Sequence, residues 1–248
     1  MSKNNLLFPF LLLCLLLVPL PAESSERLTR LQNQIYQSFV SGDVPLWERT
    51  ILELERYYQS SPREEVLYDL ILARYGFIAF SLENEPSIAR NQLDKAESEL
   101  EKLFNYPSQQ SNAYAFQGAF LGFRISLRPF TAIRNGPRSY RAISSALEAD
   151  SDNPVAWMEK GNSRFYTPSA FGGSKQEALE AYHKAVQLFE NNLPNNQRWL
   201  YLNSLVGLAK SYEYTDRKRF AIATYKKALT FEPKFKWVRD ELLPPLKD

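Results

Sequence analysis

Apolar residues recur along this chain at three- and four-residue steps, the period of a helix that buries one face. Leu28, Leu31, Ile35 and Phe39 form the first stripe, and Gly42-Asp43 then turns the chain into a second helical stretch over 46–58. Residues 66–82 predict a strongly apolar helix, and 87–104 a polar one with Ala89, Leu93, Ala96 and Leu100 on one face. Residues 112–127 are apolar nearly all round, the pattern of a buried central helix. No run shows the strict alternation of a strand.

Further along, the stripes become copies of one another. The last copy runs Leu205-x2-Leu208-Ala209-x2-Tyr212, then Ala221-x3-Tyr225-x2-Ala228-x4-Pro233. One copy earlier stand Trp157 and Gly161, followed by Ala178-x3-Tyr182-x2-Ala185, and before that Ser139-x3-Ile143-x2-Ala146. Small residues are required where two helices cross, because a larger side chain would push them apart. In two copies seventeen residues separate the paired positions, Gly122 to Ser139 and Gly161 to Ala178, each with a proline seven residues after the glycine (Pro129, Pro168). Proline and glycine break helices, so both copies predict an enlarged loop: 131–136, and 169–174 with Phe171, Gly172 and Gly173.

This spacing of Leu, Gly or Ala, Tyr, Ala and Pro resembles the tetratricopeptide repeat. The likeness implies an all-α, right-handed superhelix of about five helix pairs, degenerate over 23–106, clearer over 107–233, with a capping helix in 234–248 over the last core. Asn135-Gly136-Pro137, the Trp157 to Asn162 helix and Tyr166-Thr167-Pro168-Ser169-Ala170-Phe171-Gly172-Gly173 resemble motifs of exported bacterial tetratricopeptide proteins. The Phe-Gly-Gly loop is also similar to the tetratricopeptide component of TRAP-type transporter systems. Both likenesses imply binding or assembly in the cell envelope and no reaction.

The N-terminus changes the compartment. Lys3, an apolar run over 6–18 and Pro19-Leu20-Pro21-Ala22 have the layout of an export signal covering 1–22. The run is short for a membrane span, so the expectation is a periplasmic chain without a stable span after cleavage, the alternative being a tether by an uncleaved N-terminal segment. Cys14, the lone cysteine, is preceded by leucine rather than by the small residue a lipoprotein signal needs. Beyond residue 22 there is no cysteine for a disulfide, thiolate or metal site, and His183 is the sole histidine. No nucleophile set, metal set or phosphate loop stands out, so an enzyme is not expected and no cofactor is.

Net charge is +2, which argues against a nucleic-acid partner. Its distribution is uneven: 23–101 carry fifteen acids against eight bases, whereas 102–147 carry six bases and no acid. Arg124 and Arg128, four apart on one helix face, join Arg134, Arg138 and Arg141 as a candidate carboxylate or phosphate site. The alternative is pairing with the acidic N-terminal half. In the loops, Phe171 is a candidate apolar anchor and Gly172-Gly173 a place for close approach by a partner; alternatively Phe171 tucks over the helix ends and the glycines only make the turn. On the concave face the repeat predicts Met158, Asn162 and Phe165, then Asn203, Val206 and Lys210. Asn162 and Lys210 suit a carboxylate clamp whose other members are missing. These residues predict a non-catalytic protein that mediates protein–protein interaction or complex assembly. The alternative is a transporter-associated carrier of an anionic or apolar small molecule, held between Arg124, Asn162 and Tyr166.

Overall fold

The computed structural model describes residues 21–246, with side chains from residue 25. Residues 1–20 of the expected export signal, Cys14 among them, lie outside the described residues. Helices follow one another as consecutive pairs: α1 (Pro21–Ser41) with α2 (Val44–Ser60), α3 (Glu64–Asn84) with α4 (Pro86–Leu103), and α5 (Gln110–Leu127) with α6 (Ala132–Ala149). Then come α7 (Pro154–Tyr166) with α8 (Lys175–Asn191), and α9 (Arg198–Glu213) with α10 (Lys218–Phe231). This is the all-α helical repeat the periodicity predicts. The capping segment is a π-helical turn at Val238–Leu242, and it covers the last pair with buried Phe235, Val238 and Leu243.

Local chemistry starts the helices where they start. Asp43 accepts from the Leu46 amide at 2.9 Å, and Asn153 accepts from the Val155 and Ala156 amides at 2.8 and 3.3 Å. Ser174 takes the Glu177 amide at the head of α8, and proline occupies the first or second position of α2, α4 and α7. Each satisfies or removes an amide that a helix N-terminus leaves unpaired. Asn153 also donates to Ser111 and Asn112, so the cap of α7 is anchored to the first turn of α5.

Small residues permit the crossings. A Cβ on Gly161 would lie 2.7 Å from the Tyr182 ring, and one on Gly207 only 2.5 Å from the same ring. Tyr182 is fully buried and has nowhere to retreat. Gly207→Ala is therefore expected to cost about 1–3 kcal/mol by overpacking. Chemical denaturation measures this, and a midpoint equal to that of the parent would show that the crossing has slack. In the α5–α6 pair the close contact is at Gly118, whose Cβ would meet Ile143 at 2.5 Å; Gly122, the position the spacing singled out, has open space around it. The crossing sits one helical turn earlier than the repeat spacing places it.

The structure also corrects the first of the two enlarged loops. Only Arg128 and a 3-10 turn at Pro129–Thr131 separate α5 from α6, and Gly136-Pro137 lies inside α6. Pro137 is the sixth residue of α6, with its ring exposed to solvent. The other extended connection, 167–174, is a loop, with a 3-10 turn at Ser169–Phe171.

The N-terminal pairs do not leave an open groove. Tyr75 of α3 packs against Phe116 and Phe123 of α5 and Trp199 of α9, with ring centroids 5.7, 5.5 and 6.0 Å apart. Phe39 of α1 reaches Trp199 at 5.3 Å and Phe235 of the cap at 5.2 Å. Around this apolar centre runs a polar seam that ties α1 and α3 to the last pair and the turn leading into it. Tyr36 donates to Glu232 at 2.8 Å, Asn195 to Gln32 at 3.0 Å and Gln197 to Tyr68 at 2.8 Å. The superhelical turn thus closes its first helix against its last pair.

Candidate functional site

Because every pair is a helical hairpin, the turns after α3, α5, α7 and α9 emerge at one edge of the molecule. Large apolar side chains collect there and stay in water. Phe130 is 81% exposed and Ile133 88% at the α5–α6 turn, Phe171 is 79% exposed in the α7–α8 loop, and Tyr166, Tyr214 and Phe220 are exposed beside them. Contacts run from one turn to the next. The Arg164 guanidinium lies 5.1 Å over the Tyr140 ring of α6, donates to the Gly172 carbonyl at 2.6 Å and pairs with Glu177 at 3.0 Å. Phe165 sets its ring edge-on to Tyr166 and Tyr214 at 5.0 and 5.3 Å, with the Lys175 ammonium 3.8 Å above it. Tyr212 stacks on Phe220. Large apolar side chains gathered in water on neighbouring turns mark binding surfaces, whereas scattered single ones do not.

The loop glycines serve the turn itself. Gly172 has φ +89°, a conformation open to glycine. A Cβ on Gly173 would fall 1.7 Å from the Thr167 carbonyl oxygen, so that close approach is already taken by the chain's own backbone. Phe171, by contrast, does not tuck over the helix ends.

Of the basic residues, Arg124 is matched: it bonds Glu97 at 3.0 and 2.5 Å and Asp94 at 2.5 Å, both on α4. Those carboxylates push its pKa further up. Arg128 is exposed at the end of α5. Arg124 thus reaches toward α4, not toward Asn162, so the structure does not assemble a site between Arg124, Asn162 and Tyr166.

On the inner face, Met158 is 0% exposed and Phe165 5%, and Val206 is buried too, so none of them lines an open groove. The Lys210 ammonium lies 4.7 Å over the Trp237 ring, and burial lowers its pKa. Asn162 belongs to an internal polar chain: the Tyr182 hydroxyl donates to its Oδ1 at 2.6 Å, and its Nδ2 donates to Glu159 at 3.1 Å. The Tyr75 hydroxyl donates to the same Glu159 oxygen at 2.5 Å. Burial pushes the Glu159 carboxyl up to about 7, against the pull of those two donors. Two hollows of about 510 and 500 Å³ lie elsewhere, one between α1 and α2 beside Arg30 and Leu46, the other beside Tyr58 and Lys95.

The sequence reading placed Ile133 in the expected 131–136 loop without singling it out, and missed Phe130 and Tyr140. Their signal was present as two apolar residues close after Pro129 in the acid-free segment, hidden because Gly136-Pro137 reads as a helix breaker.

No family model matches the chain, and no curated protein matches it by sequence. Solved structures do. The HusA haemophore from Porphyromonas gingivalis superposes with a TM-score of 0.66 over 77% of this chain and 94% of its own, at 21% identity. A thermophilic tetratricopeptide protein of Thermus thermophilus gives 0.57 over 86% of this chain and 94% of its own, at 17% identity. The fold is a tetratricopeptide-like helical repeat. Among the described residues no helix is long and apolar enough to cross a membrane.

Proposed function

We propose that this chain is a non-catalytic, exported module that binds another protein, using the edge formed by the turns after α5, α7 and α9. The observation that carries the reading is the exposure of Phe130, Ile133 and Phe171 on adjacent turns of a rigid scaffold. Three large apolar groups held in water lose solvent contact when a partner covers them, each contributing about 1.5–3 kcal/mol if fully buried. The closed interior leaves the outer edge as the place where such a partner meets the protein. The export pattern at the N-terminus supports the periplasm as the compartment.

Site-specific photo-crosslinking in the intact envelope tests this. A crosslinking amino acid at Phe130 or Phe171 is expected to capture a discrete protein, while one at exposed Leu52 on α2 captures none. Equal capture at all three positions, or none at any, would remove the edge as the binding surface.

A second reading rests on the likeness to a haemophore. On it, a planar apolar anion would lie on the same edge, against Tyr166 and Tyr214 with Lys175 nearby. An absorbance titration with haemin separates the two: a saturable band shift lost in Tyr166→Ala/Tyr214→Ala favours the carrier, and a flat titration favours the protein partner.

A further inference from the structure

We propose that the outer face of α6 docks an acidic segment of the partner protein, one with apolar residues at helical spacing. The proposal rests on the protein-binding reading above and names the partner's chemistry. α6 turns Asn135, Ser139, Ala142, Ile143 and Ala146 inward. Its opposite side carries two parallel rows. Ile133, Pro137 and Tyr140 follow one another by four and then three residues and so stack along the helix as an apolar row. Arg134, Arg138 and Arg141 repeat the same steps one residue later and form a basic row beside it. All six are exposed. From 133 to 141 the rows span about 12 Å, two turns of a facing helix.

The charge on this face is unanswered from within. The 102–147 segment holds no carboxylate. Among the described residues Arg134, Arg138 and Arg141 make no side-chain hydrogen bond or ion pair, whereas Arg124 in the same segment is held by two carboxylates. A guanidinium row at one-turn spacing meets carboxylates at the same spacing in forked hydrogen bonds. The adjoining Ile133, Pro137 and Tyr140 meet the apolar side of that same partner, in the manner of a helix laid along a surface. A lipid surface would call for an apolar face with the charged face set opposite. Here both rows look outward side by side, which suits a partner whose own acidic and apolar rows adjoin.

The test places the crosslinking amino acid at Tyr140, and separately at Ile133, in the full-length protein in its host, with the captured species mapped by mass spectrometry. The expected adduct is a peptide with an excess of Asp and Glu and with apolar residues three or four apart. Its yield should fall about tenfold in Arg134→Gln/Arg138→Gln, since charge complementarity sets both capture and register. A lipid adduct, a peptide without excess acid, a second copy of this chain, or a yield unchanged in the double variant overturns the proposal. If Phe171 captures a protein and neither α6 position does, this inference fails and the protein-binding reading stands. If no position captures protein, both fall.

Discussion

Stability is expected to fall as the pH rises from about 5 to about 8, and Glu159→Gln is expected to remove much of that slope. Glu159 is buried where α3 and α7 meet, and burial raises its carboxyl to about 7. Asp69, buried beneath Gln32 and Asn196, is raised by burial to about 6. In this window the folded chain holds protons that the unfolded chain has released. A raised carboxyl pKa therefore contributes stability at low pH, and that contribution is lost as the pH climbs through the folded value. Raising a buried carboxyl from its ordinary value near 4 to about 6 or 7 corresponds to about 3 kcal/mol for each group. Glutamine keeps the shape and the donors' partner oxygen but has no proton to lose. Urea unfolding at a series of pH values compares the two proteins, so that the other carboxylates cancel in the difference. Parallel curves for parent and Glu159→Gln would show that this group does not titrate in the window.

Arg74→Met is expected to be among the most damaging single substitutions, at about 3–5 kcal/mol. Arg74 is 0% exposed and bonds Glu99 through Nε at 2.8 Å and Nη2 at 3.0 Å, Glu55 at 3.2 Å, and the Gln92 side chain as well. Without the guanidinium, Glu99 is left largely buried in the α3–α4 crossing without a hydrogen-bonded cation, with only the charge of Lys102 nearby. Glu99→Leu in the same chain removes that unpaired charge, so the double variant should recover a large share of the loss. A denaturation cycle measures the coupling. If the double variant is no more stable than Arg74→Met, the loss lies in packing around the arginine stem instead.

How much of this was legible without coordinates differs from residue to residue. The α7–α8 and α9–α10 pairs were plain, because Gly161, Ala178, Ala185, Ala221 and Ala228 must be small for two helices to cross, and a steric requirement leaves its mark at each position. The exposure of Phe171 was stated as one of two possibilities. Periodicity says which residues share a helix face, and nothing about which face a distant element covers. For the same reason Met158 and Phe165 were assigned to an open groove, whereas both are buried, Met158 beside Asn203 of α9 and Phe165 against Tyr214 and Lys175. Gly136-Pro137 hid the start of α6, since a Gly-Pro pair reads locally as a breaker whereas the folded chain carries the helix through it.

The sequence by itself determined the helix-pair repeat, the compartment expectation and the acid-free basic segment, all of which depend on residues near one another in the chain. Only the tertiary structure decided that the superhelical turn closes, that Glu159 and Arg74 are sealed inside, and that Phe130, Ile133, Tyr140 and Phe171 remain in water. Each of those outcomes depends on contacts between elements far apart in sequence. Tyr36 meets Glu232, Tyr75 meets Glu159, and Phe39 meets Phe235. No short-range pattern encodes them, because the free energy that selects them is shared among side chains that come together only once the chain has folded.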